Sequence, residues 1–384
     1  MPVANDGRMP NFPLPTSSRQ VLFSAVDTIE HTVSAVPAPG PNDAIVRVAL
    51  VGICATDLHL LSGHIGDPFP LVPGHEFVGI VSAIGERAAS TRGLAVGDHV
   101  AVEMLLPCRE CARCREGRYN LCERDDMALG LARGREYGVN IPRTVEPGLW
   151  GGYSEYLFVP VEAVTHRLPE SMPWTRAVLV EPLAVANRAV ARGRVAPGET
   201  VVVIGPGPVG ILTAAAARAA GAAKVILVGT RNSRLALSRS FGVDATVNSR
   251  DRDPVVDVRE LLGGQLADVV VEVAGVPAAQ QQAVGLVRRG GRVVLAGACG
   301  AHAVVSFLAD EDLLTREIDI LPSFLSAGGF EPAIAMLERH DFPFEQLVTH
   351  SFALEDVSLA FELIRSRAED VIKAVLDPSS EPTR

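Results

Sequence analysis

The chain changes its hydrophobic rhythm near the middle. In the first half, short apolar runs are broken by glycine-containing polar turns, and 44–51 (Ala-Ile-Val-Arg-Val-Ala-Leu-Val), 77–84 and 98–103 predict strands. Beyond Glu199 the apolar runs, at 201–205, 224–228, 245–247, 268–273 and 292–296, alternate with stretches long enough for helices, and a sixth run lies near 318–321. That alternation predicts right-handed βαβ units and a parallel sheet. Two domains follow, a β-rich body and then an α/β unit, and no internal repeat or low-complexity tract interrupts either.

Length and composition agree: 384 residues, 48% of them hydrophobic, suffice for two proper cores. The first twenty residues carry Pro, Asn, Ser and Gly without an apolar run behind a basic start, so 1–20 predicts a flexible arm and not a signal peptide. No run is long enough to span a membrane, and unpaired thiols without an export signal predict a cytoplasmic protein. A net charge of −10 and a pI near 5.4 argue against nucleic acid as partner. Arg109, Arg113, Arg115 and Arg118 lie beside a cysteine cluster that nucleic-acid modules also use, but scattered arginines on a loop more often form a solvated face.

That cluster holds four of the six cysteines. Cys108, Cys111, Cys114 and Cys122 have two, two and seven residues between neighbours, a spacing that lets four thiolates converge on one zinc ion. A closed four-sulfur site is structural; the alternative is a set of buried or disulfide-paired thiols. Cys54 raises a chemical question instead. It precedes Thr56, Asp57 and His59, and a Gly74-His75-Glu76 segment follows, so thiolate, imidazole and carboxylate occur in one short window. Glu181, in Val180-Glu181-Pro182-Leu183, is an acid in an apolar context, where a metal would justify its burial.

The run from Val201 enters Gly205-Pro206-Gly207-Pro208-Val209-Gly210 and then an alanine-rich segment. Three glycines at this spacing permit a tight turn, close approach of a pyrophosphate and close helix–strand packing. The context, after a strand and before a helix, is the one this fingerprint requires. At the end of the next predicted strand an NAD site offers an acid to the adenosine ribose; here that position is Gly229, followed by Thr230 and Arg231, and no Asp or Glu occurs between Glu199 and Asp244. The gap suits a 2′-phosphate held by Arg231 and Thr230, hence NADP(H). The alternative is NAD(H), with Arg231 stacked on adenine or simply on the surface.

With these motifs in order, the chain from about Arg19 to about Pro378 resembles the zinc-dependent alcohol dehydrogenases of the medium-chain dehydrogenase/reductase superfamily, in style nearest the sorbitol and threonine dehydrogenase branches. The resemblance implies an α/β protein with a GroES-like β-rich catalytic domain at 21–184, carrying a structural-zinc lobe at 107–123. A Rossmann doubly wound coenzyme domain follows at 185–318, and 319–384 returns to the catalytic domain. It implies a catalytic zinc on Cys54 and His75, with Glu76 or Glu181 as the third protein ligand. Thr56 would take the proton of an alcohol and His59 pass it to solvent, while Asp57 would orient His75. Lys373 would contact the cofactor pyrophosphate.

The glutamate at 181 tilts the substrate towards secondary alcohols or polyols, oxidised or formed by reduction of a carbonyl. A homotetramer or homodimer is implied. The competing readings are an NAD-dependent polyol or hydroxy-acid dehydrogenase, a zinc-independent enone or quinone reductase, and a non-catalytic cofactor-binding protein. Cys299 has no suggested histidine partner and predicts packing; Met104 and Trp150 are pocket or core residues alike.

Overall fold

A computed structural model describes residues 14–127, 130, 133–300, 302–366 and 371–382. The six late apolar runs are the six strands of one parallel sheet, in the order Ala245–Asn248, Lys224–Gly229, Thr200–Ile204, Ala267–Glu272, Val287–Leu295 and Asp319–Pro322. Their sequences are continuously apolar because both faces are covered. Successive side chains of a strand point to opposite faces, and here they enter opposite cores: Val201, Val203, Val225 and Leu227 join one cluster, Val202, Ile204, Ile226 and Val228 the other. The first cluster is closed by the helices Val180–Arg192, Pro208–Ala219 and Phe330–Glu338, whose alanines allow close approach.

Three expected boundaries move. The sheet continues through Pro322, past the coenzyme-domain limit expected at 318, because Arg292 to Leu295 pair in parallel with Asp319 to Pro322. Its fifth strand begins at Val287 and not at Arg292, since an irregular register lets Val287 pair with Ala267 before Arg292 meets Val269. The arm expected at 1–20 ends earlier: Ser17–Ala25 pairs with Thr28–Ala35, and Ser18 and Gln20 are buried there. Residues 1–13 lie outside the described residues.

The β-rich body is a seven-stranded sheet whose centre is Ala44–Gly52, buried at most positions and paired with three neighbours. One neighbour comes from the far end of the chain. Lys373–Asp377 pairs antiparallel with it, Val375 opposite Gly52 and Leu376 opposite Val51, and Val348–Ala353 adds outside that strand. This long-range pairing carries Lys373 to the rim of the segment that holds Cys54. Among the described residues, no helix is long and apolar enough to cross a membrane.

Candidate active site

Cys54 caps the short helix Ala55–Leu61, and its backbone N–H donates to Asp57 Oδ2 at 2.8 Å, closing a capping box. Tyr153 donates to the same oxygen at 2.9 Å. Asp57 is fully buried, and its other oxygen faces His75 Nδ1 at 3.6 Å, beyond hydrogen-bonding distance, so it holds the Cys54 turn more directly than the imidazole. His75 and Glu76 end the turn into the strand Glu76–Ile84, which pairs with Ala44–Gly52. The ligand atoms of Cys54, His75 and Glu76 all lie within 4.8 Å of one another.

Glu181, in the first turn of Val180–Arg192 and 7% exposed, acts electrostatically on both His75 and Glu76. Lys373, also buried, forms an ion pair with Glu76 and donates to the Ile53 carbonyl at 3.0 Å. Its ammonium is thus turned to the carboxylate at the metal end of the cleft. Gly52 stands where it does because a Cβ there would meet Glu76 Oε2 at 2.2 Å and Lys373 Cε at 2.7 Å.

The field of this cluster is strained by burial. Desolvation, then the neighbouring Glu76, pushes the Glu181 carboxyl up to about 8, with His75 and Lys373 acting against them. Burial alone would lower the His75 imidazole, but Asp57, Cys54 and Glu181 raise it to about 10. Buried anionic groups crowded around one point are what a divalent cation relieves, and thiolate, imidazole and carboxylate suit zinc. The residues present fit the metal.

The lobe is a second such cluster. Cys108, Cys111, Cys114 and Cys122 are free, with all four sulfurs within 4.8 Å of one another. The Sγ atoms of Cys108 and Cys114 lie 3.8 Å apart. Tetrahedral zinc with its usual Zn–S bonds holds sulfurs about 3.8 Å apart. Backbone N–H groups of Cys111, Cys114 and Arg124 point at sulfurs, at 3.3, 3.4 and 3.5 Å, and hydrogen bonds from Glu123 and Cys114 bring the Cys111 thiol down to about 6. The lobe is also tied to the rest of the molecule. The Tyr119 hydroxyl donates to the buried Glu103 at 3.0 Å and accepts from Gly328 N at 2.9 Å, and His166 meets Glu103 at 2.8 Å. Glu103 and Tyr119 had no motif to announce them, and His166 lacked ligand spacing.

Between the domains runs a cleft of about 820 Å³ lined by Cys54 and Glu76 and by the whole fingerprint, Gly205 to Gly210. Thr230, Arg231 and Lys373 line it too, with Arg234, Ser249 and Arg365, which sequence reasoning passed over. Arg234 follows Arg231 by one helical turn, a spacing that could have flagged it; Arg365 comes from the return segment and carried no local signal. Thr56 lies 3.6 Å from Cys54 Sγ, and His59, exposed at the end of the same helix, stacks edge-on against His64 at 5.8 Å. Met104 and Trp150 are buried in the core of the β-rich body.

The fingerprint glycines separate what the chain needs from what a ligand needs. Gly205 has φ +115, and a Cβ on it would meet Ala274 N at 2.8 Å; one on Gly210 would meet the Gly205 carbonyl oxygen at 1.7 Å. A Cβ on Gly207 would meet nothing within 4 Å. Packing therefore demands the outer two, while the middle glycine leaves open space at the N-terminus of Pro208–Ala219, where a pyrophosphate would sit. The cradle fits a dinucleotide.

Comparison with known proteins extends this picture. Residues 40–170 match the alcohol dehydrogenase GroES-like domain and residues 208–339 the zinc-binding dehydrogenase domain. A protein of Mycobacterium tuberculosis named as an alcohol dehydrogenase is 39% identical over 83% of this chain and 86% of its own length. The erythritol/L-threitol dehydrogenase of Mycolicibacterium smegmatis is 34% identical over 88% of this chain and 91% of its own. A protein of Sinorhizobium meliloti 1021 named as a zinc-binding dehydrogenase, solved bound to NADP, superimposes with a TM-score of 0.83 at 29% identity, covering 95% of this chain and 100% of that one.

Proposed function

The chain belongs to the zinc-dependent alcohol dehydrogenases of the medium-chain dehydrogenase/reductase superfamily, oxidoreductases acting on CH–OH groups, and from that membership we propose that it moves a hydride between a secondary alcohol or polyol and NADP(H). The observation that carries this reading is a single cleft lined both by the Cys54 and Glu76 cluster and by the fingerprint with Thr230 and Arg231. The polyol named for the Mycolicibacterium relative supports the substrate class, and the NADP in the Sinorhizobium structure supports the cofactor.

When bound, zinc would supply the Lewis acidity that lowers an alcohol's pKa, and the nicotinamide would supply the hydride acceptor. Cys54, His75 and one carboxylate, Glu76 or Glu181, hold the metal, and Lys373 neutralises Glu76 while it is not a ligand. The Thr56 hydroxyl would accept the alcohol proton while giving up its own, and His59 would take up the released proton on its way to solvent. Partial burial, then His64, lowers the His59 imidazole from its ordinary 6.5, so at neutral pH it is free to take a proton. The four-cysteine lobe holds a second, structural zinc. Val304, Leu308 and Leu314 are exposed in the segment that leads into the edge strand Asp319–Pro322, which supports a homo-oligomer joined there, and we place the protein in the cytoplasm. Light scattering in solution checks the oligomer.

The test of the reaction is a panel of primary alcohols, secondary alcohols, polyols and β-hydroxy acids offered to the zinc-replete protein with NADP⁺ and, separately, NAD⁺. Turnover of secondary alcohols or polyols with the lower KM for NADP⁺ is expected. Reduction of enones by zinc-free protein, or preference for NAD⁺, would sink the corresponding part of the proposal.

A further inference from the structure

Gly229 ends the second strand of the parallel sheet at the position from which a carboxylate would reach the adenosine ribose. The sequence alone makes it the mere absence of an acid. The structure makes it an exclusion. A Cβ built on Gly229 would lie 2.3 Å from Pro206 Cγ, 2.5 Å from Cδ and 2.9 Å from Cβ. These are atoms of a closed ring, which has no rotamer that moves them aside.

Neither partner can yield cheaply. Pro206 follows Gly205, whose N–H donates to the Val228 carbonyl at 2.9 Å and which has no room for a side chain, since a Cβ there would meet Ala274 N at 2.8 Å. It precedes Gly207, the cap residue of the helix Pro208–Ala219. Gly229 pairs with Asn248, and its carbonyl accepts from Ser249 N at 2.9 Å. Gly229 and the residue before Pro206 are therefore pinned by backbone hydrogen bonds, and both Pro206 and Gly229 line the cleft.

We propose that Pro206, a fingerprint residue, is a determinant of cofactor selectivity: by filling the space beside Gly229 it bars a ribose-binding carboxylate from this site and leaves the adenosine end to hydroxyl and guanidinium groups. Around that end stand Thr230, Arg231, Arg234 and Ser249 of the coenzyme domain with Arg365 of the return segment, and among the described residues no Asp or Glu lines the cleft there. A ligand carrying a phosphate on the ribose meets donors and cations, whereas a bare ribose meets no anionic acceptor among the described residues. This rests on the NADP(H) reading above for its direction, but the steric interlock between positions 206 and 229 stands or falls by itself.

The experiment is a four-corner cycle of the wild type, Gly229→Asp, Pro206→Ala and the double variant. NADPH and NADH binding are titrated by fluorescence, and folding is followed by circular dichroism and thermal melting. Pro206→Ala removes Cγ and Cδ and leaves only the Cβ contact, which a shift of a few tenths of an ångström clears.

Gly229→Asp alone is expected to weaken both dinucleotides and lower the melting temperature without gaining NADH affinity. The double variant is expected to recover folding and to move the NADH-to-NADPH affinity ratio by about tenfold or more towards NADH, the size of one charged hydrogen bond. Pro206→Ala alone, with glycine still at 229, should shift the ratio less than the double variant does, and an equal shift would overturn the interlock. If Gly229→Asp alone shifts the ratio as far as the double variant, the interlock is overturned, and a folded double variant with an unchanged ratio overturns it equally. Tighter binding of NADH by the wild type would instead remove the NADP(H) reading, and the comparison of single with double variant would still decide the interlock.

Discussion

Two clusters in this molecule offer donors suited to the same metal and are built in opposite ways. The lobe takes its four sulfurs from one short loop, and neighbouring backbone N–H groups hold them. The Cys54 cluster is assembled from a helix cap, a strand start, a second helix carrying Glu181 and a strand from the far end of the chain carrying Lys373. The first site is stabilised by local geometry and has no position left for a substrate. The second is held by the tertiary fold at the cost of crowding buried charges, and it opens on the cleft.

The widest separation of the two should come from one substitution in each. Cys54→Ser is expected to lower kcat by about a thousandfold or more while leaving the melting temperature close to wild type and one zinc per chain. Cys111→Ser should leave the kcat of the folded fraction near wild type but reduce the melting temperature by about 10 °C, because the lobe's ties to Gly328 and Glu103 depend on its shape. Metal content, melting curves and active-fraction kinetics read both. Equal loss of stability in the two variants would erase the distinction.

A smaller effect isolates the charge crowding. Lys373→Met leaves Glu76 without its buried counter-charge, so the zinc-free protein should lose about 3 kcal/mol in denaturant unfolding. Loading zinc should recover much of that loss, since the cation takes over the ammonium's electrostatic role. A loss of the same size in both states would mean that Lys373 serves packing alone.

The mildest change concerns proton release. His59 is lowered from its ordinary 6.5 by partial burial and His64, so alcohol oxidation should fall on the acid side only as pH drops below that value, where the imidazole charges and can no longer accept. His59→Ala should flatten that limb and cost about tenfold near neutral pH, with KM little changed. An unaltered profile would remove His59 from the relay.

Much of this organisation was readable from residue order. The alternation beyond Glu199 announced the parallel sheet because strands buried on both faces must be apolar throughout, and Val201 to Ile204 show it by sending alternate side chains to two cores. The lobe was readable because its ligands are local. The engagement of Lys373 with Glu76 was not, since it depends on pairing Val375 with Gly52 across almost the whole chain. Nor was the network of Glu103, Tyr119 and His166, which joins three separate segments.

By itself the sequence determined the family, the two-domain plan, the kinds of metal donor and the absence of an acid after the second coenzyme strand, because each depends on composition or on spacing within one short segment. Only the tertiary structure decided which carboxylate meets the ammonium, how far Asp57 stands from His75 and that Pro206 closes the space beside Gly229. Those are distances between atoms far apart along the chain, and packing, not order, sets them.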